Sequence, residues 1–449
     1  LTTGQVASLA TDDFNALTTA QVAALTSAQV AAITATQSDA IATDDLAAIT
    51  TGSIRALSTD ALAALDSAQL PALTSAQVAA LTSRQVSSLD QADLNALTTA
   101  QYAALTSAQV AAFTTAQADV LATDDLAAIT ASSIKGLSTA NVGTLDTAQF
   151  DAMTTAQFAA LTSAQAQGIT SAQVDAMSTE DLAAMGSAAV RALTSDALAA
   201  LDSAQITVLS PGQIAMLSTA QIASLSTDDL NALTTAQFAS LTSAQAAAIT
   251  ATQADAMATD DLAALSTAAI RGLTTDALAA LDSAQLPALT STQVAALTSR
   301  QIASLDQADL NALTTAQYAA LTSAQVAALT TAQADVIATD DLAAISATSI
   351  KGLSTANLAA LDTAQFDAMT TAQFAALTSA QVAGIAATQT DVIATDDLTA
   401  IATGAVRGLT TDALAALDSA QIGVLTNAQV AALTTGQVAS LATDDFNAL

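Results

Sequence analysis

The segment Thr18-Thr19-Ala20-Gln21-Val22-Ala23-Ala24-Leu25 is followed at once by Thr26-Ser27-Ala28-Gln29-Val30-Ala31-Ala32-Ile33, the same phrase with only conservative changes. After Leu1 the remaining residues divide without remainder into 56 such octads. A fixed short period of this kind dictates a repeat architecture, whatever else the chain contains. Within the octad, position 1 is almost always Thr, Ser, Asp or Ala and position 4 is most often Gln. That pairing is the capping box: the first side chain accepts from the third helical amide, and the third side chain reaches back to the cap's own N–H. Position 5 is usually Val, Leu, Ile or Phe and position 8 is apolar, so Leu17 before one cap and Val22 four places after it form a hydrophobic staple. Ser210-Pro211-Gly212-Gln213 supports the register, because proline is favoured at the first helical position.

Each octad therefore predicts one very short helix. A single long helix is excluded, because an eight-residue period at 3.6 residues per turn rotates the apolar pair off any one face. A β-solenoid is the rival, since Thr and Val favour strands. The abundance of Ala, Gln and Leu and the scarcity of Gly and Asn count against it. Pro71 and Pro287, both at position 6, each remove a late helical donor, so their octads are expected to be distorted or single-turn. Two turns of helix are unstable alone. The expected fold is an all-α solenoid in which neighbouring octads bury one another's positions 5 and 8, with small residues at position 7 allowing close approach.

A longer period lies above the octad. Leu97 through Tyr102 returns as Leu313 through Tyr318, and Asp66 through Pro71 as Asp282 through Pro287. Residues 1–216 and 217–432 are thus two copies of one super-repeat, and 433–449 begins a further copy, matching 1–17 residue for residue. The expectation is that the chain is a window on a longer protein. Within each super-repeat a charged cassette recurs at 34–57, 114–137 and 170–193. Cassette spacings differ by three octads, which predicts three octads per solenoid turn.

The cassettes supply the candidate functional residues. Asp39, the pairs Asp44-Asp45, Asp124-Asp125 and Glu180-Asp181, and the lone basic residues Arg55, Lys135 and Arg191 could set lateral register between neighbouring copies. The plainer reading is a solvated face whose ion pairs contribute little, about 0–1 kcal/mol each. Calcium at the Asp pairs is the weaker reading, because no Asp-x-Asp-x-Asp-Gly loop is present. An ice-binding Thr face is weaker still, since capping accounts for at least one Thr of each pair. The aromatics Phe14, Tyr102, Phe113, Phe150 and Phe158 fall at positions 5 and 8, as large core residues do.

Composition narrows the function further. There is no His, Cys or Trp, which removes the usual ligands and acid–base groups of metal and thiol chemistry, and no position breaks the repeat to make a pocket. No cofactor is expected. A net charge of −32 argues against nucleic acid as a partner, and no apolar run is long enough to span a membrane. Of the 40 acidic residues only Glu180 is not Asp, and short Asp suits caps and first turns.

Leu209-Ser210-Pro211-Gly212-Gln213-Ile214-Ala215 resembles the opening of TAL effector repeats, a likeness confined to one helix start that carries no base-reading loop. More broadly the chain resembles the Ala/Thr/Asp-rich repeat regions of very large secreted bacterial proteins. That resemblance implies a non-enzymatic, extracellular or cell-surface structural protein that self-associates into a fibre or filament. The alternative is an adhesin stalk or ligand-binding solenoid scaffold.

Overall fold

A computed structural model describes residues 1–449. It contains 53 short α-helices and three 3-10 turns, one element per octad, and no strand. The β-solenoid is therefore set aside. The octad of residues 74–81 shows why the helices form where they do. Thr74 Oγ1 accepts from the Gln77 N–H at 3.2 Å, and Gln77 Oε1 accepts from the Thr74 N–H at 2.7 Å. This capping box starts the helix Ser75–Ala80. Leu81 then leaves the helical region (φ −59°, ψ 147°), its N–H donating to the Val78 carbonyl. The next cap, Thr82, is also extended, and its side chain accepts from Gln85 to restart a helix. Two extended residues thus make the whole linker. No residue has positive φ, which explains how so regular a chain manages with only 14 glycines.

Departures from the pattern follow the residues. Pro71 confines its octad to the 3-10 turn Leu70–Ala72, and Pro287 confines its own to the four-residue helix Gln285–Ala288. Pro211 sits at the start of the helix Pro211–Met216, behind the Ser210 cap. The 3-10 turns Ile134–Gly136 and Ile350–Gly352 contain no proline, and the octad pattern does not predict them. Both follow a Ser at position 4, Ser133 and Ser349, too short to close the capping box.

Packing divides the chain into two units, Leu1–Leu233 and Thr234–Leu449. Their boundary lies beyond the super-repeat boundary at 216/217, because the one reflects packing and the other sequence period. Inside each unit, helix bodies pack on the third octad along, as Ser27–Val30 does on Thr51–Ile54 in the first unit and Ser243–Ala246 on Thr267–Gly272 in the second. Position 7 lies at this contact. A Cβ at Gly136 would come 2.1 Å from the Ser107 carbonyl oxygen, so glycine there permits a closer approach than alanine would. Positions 5 and 8 are buried throughout the interior of both units; Val78 and Leu81, for example, are 0% and 5% exposed. Each such side chain contributes roughly 1.5–3 kcal/mol on full burial, which an isolated octad could not obtain. Phe14, Tyr102, Phe113, Phe150 and Phe158 are all buried, and Phe150 meets Phe158 edge to face with ring centroids 5.1 Å apart. No helix is long and apolar enough to cross a membrane.

Candidate functional site

The residue that ties one coil to the next is the position-4 glutamine. It is a core residue: Gln77 is 1% exposed. Its Oε1 closes the cap of its own helix, while its Nε2 donates to the Leu46 carbonyl at 2.9 Å and the Ile49 carbonyl at 2.7 Å. Those carbonyls belong to positions 5 and 8 of the fourth octad back. Gln101 repeats the arrangement on Leu70 and Leu73, Gln109 on Val78 and Leu81, and Gln325 on Val294 and Leu297. The side chain therefore uses both donors and its acceptor inside the core, and no buried side-chain nitrogen or oxygen lacks a partner.

The ladder adds a fourth-octad link to the three-octad interval of the helix bodies. Outer hydroxyls reinforce the latter: Ser83 Oγ donates to the Ala108 carbonyl at 3.0 Å, 25 residues on. Hydroxyl and amide bonds thus connect residues 25, 28 and 31 apart, separations between three and four octads. Shorter side chains at position 4 make fewer bonds. Asn141 reaches only the Phe113 carbonyl and Ser133 only that of Leu105, both at position 8.

Aspartate at position 4 cannot donate when ionised, and this separates the members of each candidate acidic pair. Asp44, Asp124 and Glu180 are exposed, whereas Asp45, Asp125 and Asp181 are buried at 6%, 8% and 8% exposure. The buried three face the core, so of each pair expected to set lateral register only the exposed member is placed to do so. Asp181 shows how the carboxylate is held. Thr155 Oγ1 donates to its Oδ1 at 2.7 Å and Ser178 Oγ to its Oδ2 at 2.6 Å. Asp445 likewise accepts from Ser419 Oγ at 3.0 Å. Burial raises the carboxyl pKa of Asp125, Asp341 and Asp397 above the ordinary carboxylate value, with the adjacent Asp adding to it. For Asp261 the same two causes push it up to about 6.

Burial also raises the hydroxyl pKa of Tyr102, and the facing Asp125 raises it further. That hydroxyl donates to the Leu94 carbonyl at 3.0 Å. Leu94 lies 31 residues before Asp125, in the place an amide at 125 would serve. Tyr318 does the same for Leu310, at 3.1 Å, opposite Asp341.

The remaining candidate charges, Asp39, Arg55, Lys135 and Arg191, are exposed. Each cassette's members occupy successive octads, and no three acidic side chains gather into a set able to hold a metal ion. The signal that could have revealed the ladder is the choice of Gln over Glu at position 4. A capping box accepts Glu as readily as Gln, yet the chain uses one Glu, at position 3, and none at position 4. A requirement for donors accounts for that choice.

Comparison with curated proteins gives no match. The model of the ALTTAQ repeat matches in fifteen overlapping or consecutive stretches, from residues 6–40 to 391–427, together spanning 6–387 and 391–427. That coverage takes in both packing units, and the matched phrase is the one that caps each helix and supplies the buried amide: the chain belongs to the ALTTAQ repeat family.

Proposed function

We propose that this chain is a non-enzymatic structural protein that builds an extracellular filament by self-association. The observation that carries the reading is the recurrence of one charged surface at fixed intervals. Asp39, Asp44, Arg55, Asp124, Lys135, Glu180 and Arg191 are exposed, and their counterparts return 216 residues later. Every buried side-chain nitrogen and oxygen has a partner, which favours reading the core as a scaffold rather than a reaction site. The strongly acidic composition keeps such an Ala-rich array soluble and makes contact between copies selective.

Electron imaging of purified native material tests the proposal. Long uniform filaments with an axial period traceable to the super-repeat are expected. Dispersed particles that never assemble would overturn it in favour of a presentation stalk or ligand-binding scaffold.

A further inference from the structure

Eight basic residues in a chain of net charge −32 could each stand alone among carboxylates. Four of them instead meet in pairs. Arg55 and Arg84 line one cavity of about 340 Å³, with Ser58, Thr59 and Thr82 on its wall. Arg271 and Arg300 line a second of about 340 Å³, with Thr274, Thr275 and Thr298. One cleft lies in each packing unit, and corresponding residues differ by 216.

The amide ladder sets the two arginines of each cleft against each other. Gln85, next to Arg84, donates to the carbonyls of Ile54 and Leu57, which bracket Arg55. Gln301, next to Arg300, donates to Ile270 and Leu273, which bracket Arg271. The backbone at each arginine is therefore fixed by a buried rung, and the two exposed arginines line the same cleft. No carboxylate lines either cavity. Two guanidiniums brought together without an acid between them repel, and an oxyanion placed between them relieves that repulsion. The planar fork of arginine matches carboxylate and phosphate oxygens in paired hydrogen bonds, with the Thr59 or Thr275 hydroxyl beside them.

We infer that each cleft binds one oxyanion group, a carboxylate or a phosphate, giving two sites per 449 residues. The other basic residues lack this arrangement: position 3 of the fourth octad after Lys135 is Ala164, and after Arg191 it is Ala220.

The test uses the full chain labelled with ¹⁵N at arginine, whose six side-chain Nε–H signals can be followed singly. Titration with inorganic phosphate, and separately with acetate, at constant ionic strength is expected to shift the Arg55, Arg84, Arg271 and Arg300 signals saturably with at least one probe. Arg191 and Arg407 should stay still. In Arg84→Gln the Arg55 response should weaken at least tenfold, while Arg271 and Arg300 respond as before and report that the fold is intact. A uniform, non-saturating drift of all six signals with both probes would overturn the inference, as would an unchanged Arg55 response in Arg84→Gln.

Discussion

The Tyr102 hydroxyl donates to the Leu94 carbonyl at 3.0 Å, and Leu94 stands 31 residues before Asp125, where a glutamine would have placed its amide. Tyr318, Leu310 and Asp341 repeat the relationship. At these two sites the loss of a donor at position 4 is met by a donor from an intervening octad. The core of this fold is thus held by a hydrogen-bond ladder as well as by apolar burial, and at Asp125 and Asp341 a tyrosine supplies the missing donor.

Tyr102→Phe should cost about 1–2 kcal/mol, because the Leu94 carbonyl then stays buried without its side-chain donor. Adding Asp125→Gln should recover most of that loss by restoring an amide opposite Leu94. Urea unfolding of the two variants checks this; equal midpoints for Tyr102→Phe and the parent would contradict it.

Acid should stabilise this protein. The folded-state pKa of Asp261 is pushed up to about 6 by burial, so the folded chain holds that proton more tightly than the unfolded chain, whose Asp titrates near 3.8. The folded-state advantage is fully present below the unfolded value and is lost as pH rises through about 6. Asp125, Asp341 and Asp397 are shifted the same way. Melting temperature is expected to climb between pH 7.5 and 4.5. Asp261→Asn should raise it at pH 7.5 and flatten the climb, which separates this carboxyl from the general relief of negative charge.

Glycines at different positions should respond in opposite directions to alanine. At Gly136 the added methyl would meet the Ser107 carbonyl at 2.1 Å, so the two octads must separate, at a cost of about 1–3 kcal/mol. At Gly52 the nearest atom is Thr50 Oγ1 at 3.9 Å, and alanine should be neutral or stabilising by up to about 1 kcal/mol. Thermal melts of the two variants decide it; equal effects would contradict the close approach at Gly136.

Much of this was legible from the chain. Position 1 and position 4 announce a cap, positions 5 and 8 announce the buried side, and Pro71 announces its own short turn, because each depends on neighbours within one octad. The second role of Gln77 was hidden, since its partners Leu46 and Ile49 become neighbours only when the solenoid closes. The inward turn of Asp45 was hidden for the same reason: in sequence it reads as the twin of Asp44, and only the ladder distinguishes the two. Arg55 and Arg84 look unrelated until the rung at Gln85 aligns them.

The claim on which the rest depends is that position-4 glutamines bind their octads to the fourth one back. Gln77→Glu tests it, because Glu keeps the capping acceptor of Gln77 and replaces the amide donor by a carboxylate oxygen that faces the Leu46 and Ile49 carbonyls. Hydrogen exchange read peptide by peptide is the direct measurement. Protection should fall in the octad of residues 42–49, where the Leu46 and Ile49 carbonyls lose their donors, and remain at 58–65, which lies between in sequence. Loss confined to residues 74–81, with 42–49 unchanged, would contradict the ladder.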